Sequence, residues 1–429
     1  MAREYKDSGI EWIGEIPKEW KVELIGNNIK EINDKNDDSS EDNALQFKMG
    51  TIISKKGGDS KYNPESLAAY TKVKEGDIVI NGLNLSFDFI SQRVGLVREK
   101  GVITSTYLTL RPSSLLYSVF LNYLFKAYDN CKAFHGMGRG LRQILAYREL
   151  KNQKLIYPSL QEQQKIANYL DKVCGEVDEM VALQETMIEE LKAYKQSVIT
   201  EAVTKDLNPN VPMRDSGIDW IGEIPEGWKV CRIKNVANLF GRIGFRGYTS
   251  DDLNKDGIGA ITLSPSNMKP MGMDYQHVTY LSWKKYEESP EIMIQNDDLL
   301  MVKTGSSYGK VSYVNNLPRE ATINPQILRI VPNILSKYLG YYMQTSLFLY
   351  QVEGGVVGGT IPTISQEKIN NFYVVLPKEN DQRTIASYLD TKCSEIASLI
   401  ALKQAKIEEL KEYKKSVMYE YVTGKKEVC

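Results

Sequence analysis

Between residues 161 and 203 the apolar side chains return at alternating steps of four and three. Ile166, Leu170, Val173, Val177, Met180, Met187, Leu191, Tyr194 and Val198 keep the spacing, with Gln184 as the single polar interruption. This is a heptad seam. No glycine or proline follows Gly175 within the run, and good helix formers fill the remaining positions. At about 1.5 Å per residue the pattern predicts a helix roughly 60 Å long, well beyond the usual globular length. The same text returns over residues 381–422. Leu170-Asp171 matches Leu389-Asp390, and Ile188 to Lys192 matches Ile407 to Lys411, at a constant offset of 219.

A second repeat precedes each helix. Asp7-Ser-Gly-Ile-Glu-Trp-Ile-Gly-Glu-Ile-Pro-Lys-Glu-Trp20 recurs as Asp215-Ser-Gly-Ile-Asp-Trp-Ile-Gly-Glu-Ile-Pro-Glu-Gly-Trp228, at an offset of 208. Four of the five tryptophans lie in these two copies, so the motif reads as a device that pins aromatics onto an apolar face.

Two variable blocks lie between motif and helix, and they share a plan. A turn leads into a buried strand at Gly76–Ile80 and at Asp298–Met301. A second strand region follows, ending at Pro112 or Pro332. Next come a short helix (residues 114–127 and 336–350) and a glycine-rich loop beginning at Gly136 or Gly354. A last strand enters the long helix through Pro158 or Pro377. Each block is an α+β domain of ordinary size. The predicted order is a first motif (1–22), a domain (23–157), a long helix (158–205), a Pro/Asn-rich linker with the second motif (206–230), a second domain (231–376) and a second long helix (377–429). The simplest packing of two such helices is an antiparallel pair about a pseudo-two-fold axis. Equivalent residues then meet near Glu185 and Gln404, and the chain termini are neighbours.

Composition adds boundaries. Hydrophobic residues at 42% and charged residues at 25% describe an ordinary globular chain. The net charge of −1 and pI near 6.3 mean that any nucleic-acid surface must be a local basic patch. Five scattered cysteines without CxxC spacing read as free thiols in a reducing, cytoplasmic setting. No stretch resembles a transmembrane span or signal peptide.

Catalytic sets are absent from the text. The two histidines, His135 and His277, occupy non-equivalent places. Gly305 to Lys310 is one residue short of a phosphate-binding loop, and Val311 stands where Ser or Thr would hold magnesium. Asn324-Pro325 is not followed by the proline and aromatic of an amino-methyltransferase motif. What remains are basic and polar clusters in glycine-flanked loops, where backbone can approach phosphate and side chains can read base edges. These candidates for DNA contact are Lys55, Lys56, Lys61, Asn84, Arg139 and Arg142 in the first block. In the second they are Arg242, Arg246, Lys303, Ser306, Ser307, Tyr308 and Lys310.

The doubled Asp-Ser-Gly-Ile-x-Trp-Ile-Gly-x-Ile-Pro-x-x-Trp motif, with Pro158 to Gln163 and Pro377 to Gln382 leading into long helices, resembles the specificity subunit of type I restriction–modification systems. The resemblance covers the chain from Tyr5 to about Thr423. It implies two target-recognition domains separated by paired antiparallel helices, each domain reading one half of a split DNA sequence. It also implies two adenine methyltransferase subunits that carry S-adenosylmethionine, motor–nuclease subunits, and no cofactor, metal or catalytic residue in this chain. Trp12, Ile16, Trp20, Trp220, Ile224 and Trp228 are the candidate partner-binding residues. Rival readings are a stand-alone bipartite DNA-binding regulator and a cryptic nuclease. On the resemblance, Asn81-Gly82-Leu83-Asn84 stands where the second block has Lys303-Thr304-Gly305-Ser306.

Overall fold

The computed structural model describes residues 3–55, 67–90, 92–138, 143–244, 247–254, 257–358 and 361–428. The chain divides into two compact units. Unit 1 comprises residues 1–185 and 404–429, and unit 2 comprises residues 186–403. The long helices are Leu160–Thr204 and Glu379–Val422, so each unit owns one half of each helix. The division falls at Glu185 and Gln404, the positions at which the repeat predicts its dyad.

Within unit 1 the helix halves run antiparallel. Asp178 pairs with Lys414 at 2.6 Å, while Tyr169, earlier in its helix, meets Tyr421, later in its own. The two ends of the chain meet here, where Tyr5 Oη donates to the Gly424 carbonyl. Unit 2 repeats the arrangement: Val198, Ile199, Ala202 and Val203 share a core with Ile385, Leu389 and Cys393.

The buried face of the first helix departs from the heptad reading. Ile166, Leu170, Val177 and Val198 are buried, but Met180 and Tyr194 are 44% and 56% exposed. Cys174 and Ile188 are buried in their stead. A straight helix of 3.6 residues per turn drifts by about 20° per heptad against a 3.5-residue repeat. Over three heptads that drift turns the seam by about 60°, toward the next residue along the helix.

Each unit is built on an antiparallel four-stranded sheet of the same order. In unit 1 it runs Ile29–Glu31, Leu108–Pro112, Ile78–Ile80, Val94–Leu96. In unit 2 it runs Ala237–Gly241, Ile327–Pro332, Leu299–Val302, Val311–Tyr313. Unit 2 adds a second four-stranded sheet over a separate core of Ile261, Leu263, Ile292 and Ile323. Unit 1 has two-stranded ribbons, Leu45–Lys48 with Thr51–Ser54 and Thr71–Val73 with Gly101–Ile103. The predicted helix over 336–350 is two helices, Ser336–Tyr342 and Ser346–Gly355. The Thr345 hydroxyl accepts from Phe348 N–H and starts the second.

The motif closes each unit. Tyr5–Asp7 pairs with Glu15–Pro17, and Lys21–Leu24 then pairs with Lys154–Tyr157, the strand that leads into the long helix. Unit 2 does the same with Lys229–Arg232 and Tyr373–Leu376. A buried glutamine locks each helix start. Gln163 donates to the Leu115 and Pro158 carbonyls and accepts from Tyr117 N–H; Gln382 donates to the Pro377 carbonyl and accepts from Leu335 N–H.

Ile16, Trp20 and Ile224 are fully buried, and Trp228 nearly so. Trp20 lies edge-on to Phe120 and Trp12 edge-on to Tyr128. Four of the six side chains expected to bind partners therefore face the protein's own cores. An apolar ring next to a strand end gains more from the domain interior than from solvent. Only Trp12 and Trp220 are half-buried.

Candidate nucleic-acid interface

Strands Leu299–Val302 and Val311–Tyr313 are joined by the hairpin loop that carries Lys303, Ser306, Ser307, Tyr308 and Lys310. Gly305 adopts φ +102°, a left-handed backbone open to glycine. The loop is pinned by its neighbours. Lys303 N–H donates to the Gln326 carbonyl (2.8 Å), Ile364 N–H to the Lys303 carbonyl (2.9 Å), and Gly305 N–H to the Pro362 carbonyl (3.0 Å). The glycine-rich segment joins the same cluster through mutual Val357 and Thr363 bonds. Two loops separated by some fifty residues in sequence thus form one surface.

Ser306 and Ser307 are exposed, and the Tyr308 ring packs against the core. Burial pushes the Lys303 ammonium below its ordinary value. It does the same to Lys310, helped by the charge of Lys269. Lys310 Nζ donates to the Pro265 carbonyl at 3.1 Å. A partly desolvated cation with no carboxylate on it among the described residues is suited to a phosphate oxygen, which restores the lost solvation.

Arg242 is not part of this surface. It is 7% exposed, donates to Thr322 Oγ1 and the Ile323 carbonyl, and lies under the Tyr248 ring. Its fork joins two strand segments from within. Arg246 lies outside the described residues, as do Lys56, Lys61, Arg139 and Arg142.

In unit 1 the corresponding loop joins Ile78–Ile80 to Val94–Leu96. Leu145 N–H donates to the Gly82 carbonyl and Leu85 N–H to the Gln143 carbonyl, so the segment after the glycine-rich loop pins it here too. These bonds set the register. Gly82 is the counterpart of Lys303, and Arg93 of Lys310, because Asn81 N–H pairs with Arg93 as Val302 N–H pairs with Lys310. The sequence comparison that set Asn81 against Lys303 is therefore one residue out. Hairpin loops of unequal length leave only the ladder to define equivalence.

Arg93 is wholly buried and donates to the Asn81, Leu83 and Asp88 carbonyls. It braces a loop whose tip is apolar: Phe87 and Ile90 are 75% and 89% exposed. Phe89 stacks on His135, which therefore serves as packing. Asn84 is exposed at φ +55°, its carbonyl accepting from Phe87 and Asp88 N–H. Lys55 is exposed just beyond the ribbon strand Thr51–Ser54.

Sequence reading passed over Asn324, Gln326 and Lys269, all beside the unit 2 loop. Asn324 Oδ1 accepts from Gln326 N–H in a local turn, a signal present in the text as an Asn-Pro before a strand. Among the described residues no cluster of His, Cys, Asp or Glu could hold a metal, and no helix is long and apolar enough to cross a membrane.

Comparison with known proteins agrees with this architecture. The family model for the type I restriction modification DNA specificity domain matches residues 20–193 and again residues 225–412. The type I restriction enzyme MjaVIII specificity subunit of Methanocaldococcus jannaschii is 21% identical over 96% of this chain and 93% of its own. The putative MjaX specificity subunit of the same organism is 25% identical over 96% and 95%. A chain solved in work on complex assembly and conformational transition of the type I R-M system superposes with a TM-score of 0.70 at 15% identity, covering 95% of this chain and 99% of that one. The HsdS subunit of Thermoanaerobacter tengcongensis superposes with a TM-score of 0.51 at 16% identity, over 95% and 98%. With the family model occupying most of its length in two tandem matches, the chain belongs to the type I restriction–modification DNA specificity family.

Proposed function

We propose that this chain supplies DNA sequence specificity to a type I complex and performs no chemistry itself. Each unit reads one half of a bipartite target, and adenine methyltransferase subunits, with motor–nuclease subunits, assemble around the helices. One observation carries this reading. The two units share sheet order and loop pinning, yet present different side chains at equivalent loop positions. Gly82 stands at the position of Lys303, and buried Arg93 at that of the partly solvated Lys310. A shared scaffold with divergent loops is what two readers of unlike sequences require. Lys303 and Lys310 would position phosphate, and Ser306 and Ser307 would reach base edges.

The test is to exchange residues 231–376 for the matching block of a relative and map methylated sites in cells. One half of the target should change and the other stay. Alteration of both halves would refute the assignment of one unit to one half-site. S-adenosylmethionine belongs to the partner in this reading, so calorimetry should show no binding by the isolated chain.

A further inference from the structure

The two units build the same seat and fill it differently. In unit 1, the ring of Tyr169 of the first long helix packs at a tilt on that of Tyr421 of the second, centroids 4.4 Å apart and hydroxyls 3.2 Å apart. Tyr419 Oη donates to the Trp12 carbonyl and Tyr5 Oη to the Gly424 carbonyl. Lys425 Nζ donates to the Glu15 carbonyl. Four tyrosines and a lysine thus occupy the angle between the helix pair and the motif hairpin.

The repeat offsets identify the same positions in unit 2. Tyr388 corresponds to Tyr169, but Ala202, Thr200 and Met213 stand for Tyr421, Tyr419 and Tyr5, and Asp206 stands for Lys425. Where the rings would be there is a groove of about 830 Å³, lined on its apolar side by Tyr194, Ala202, Met213 and Tyr388. Tyr194, Met213 and Tyr388 are 56%, 37% and 37% exposed. Glu201, Asp206 and Glu223 also line it, against Lys205 as the one cation among the described lining residues.

We propose that this groove is a docking seat for one segment of the methyltransferase partner. That segment presents an aromatic ring to Tyr388 and a lysine or arginine to the three carboxylates. The proposal rests on the functional reading above. The internal repeat supplies the template: the same backbone frame in unit 1 receives a ring against Tyr169 and an ammonium on the backbone carbonyl of Glu15, the counterpart of Glu223. The charge balance selects a basic polypeptide and repels a phosphate backbone. Because Tyr421 already fills the unit 1 seat, only one of the two equivalent seats is open. The two partner subunits therefore bind with unequal strength.

The experiment titrates the full-length chain with the adenine methyltransferase subunit of the same genome, followed by calorimetry. The wild type should show two unequal steps. Ala202→Tyr, which installs the unit 1 residue, should weaken the stronger step by roughly tenfold or more and spare the other. Glu201 and Glu223 are exposed, so the double variant E201K/E223K should fold normally by circular dichroism and weaken the same step, the more so at low salt. Two wild-type steps that neither variant alters would overturn the seat. Absence of any binding by the wild type would instead sink the partner assignment, and the seat with it.

Discussion

Arg111 grips Asp77 through two hydrogen bonds of 2.7 Å each. Arg329 holds Asp298 in the same manner in unit 2, at 2.7 and 3.3 Å. Each aspartate sits at the turn before one of the two inner strands of its sheet and also accepts a backbone N–H, from Lys74 or Gln295. Each pair ties the turn to the neighbouring strand, so one device serves both units.

Removing the arginine leaves a buried carboxylate without its partner. R329A should destabilise unit 2 by about 3–5 kcal/mol, the usual cost of breaking a buried pair. Arg111 is 34% exposed, and water can replace part of it. R111A should therefore cost less, about 2–3 kcal/mol. Urea unfolding followed by circular dichroism measures both. Equal and negligible losses would show that the turns hold without the pairs.

Two glycines should respond in opposite directions to alanine. Gly259 has φ +122°, and a Cβ there would lie 2.1 Å from the Leu281 carbonyl oxygen, on the strand that pairs with Ala260. G259A should cost about 2 kcal/mol or more. Gly175 is exposed in the first long helix, and its Cβ would meet nothing within 4 Å. G175A should stabilise by about 0.5–1 kcal/mol. Thermal melts of the two variants decide the signs.

If Lys303 and Lys310 touch phosphate, replacing either with alanine should reduce the salt slope of DNA binding by about one. Target sequence should be unchanged. The pH dependence has a definite sign. Burial holds the free Lys303 ammonium below its ordinary value, and phosphate favours the charged form. Affinity should fall as pH rises through that lowered value. K303R, charged throughout, should flatten the fall. Fluorescence anisotropy of the assembled complex between neutral and alkaline pH supplies the comparison.

Cys174 and Cys393 are equivalent positions in the two helices, and both are free, buried thiols. Burial pushes each thiol up, disfavouring the reactive thiolate. Partial burial pushes the Cys131 thiol up as well, but that residue is exposed to the reagent. In a C429S background, Ellman's reagent should find Cys131 first, while Cys174 and Cys393 react only on unfolding. Fast labelling of either helix thiol in the native protein would contradict the packing of its unit.

The repeat was fully legible in the text. The doubled tryptophan motif, the long helices and their constant offset determined a two-unit α+β chain with antiparallel helix halves, because periodicity and duplication are local properties of sequence. The hairpin loop at Lys303–Lys310 was legible too, since glycines and lysines cluster within eight residues. Arg242 and Arg93 look like surface cations in sequence, yet Arg242 is buried against a carbonyl from a distant strand and Arg93 against carbonyls of its own folded loop. The Asp–Arg pairs span more than thirty residues and carry no local sign. Helix drift moved the seam from Met180 to its neighbours, and strand pairing moved the loop equivalence by one residue. Trp20 and Trp228 turned inward because the domain interior offered them more apolar surface than any exposed position. Sequence alone determined where like elements occur; only tertiary packing decided which side chains those elements bury, since burial depends on neighbours that the linear order leaves far apart.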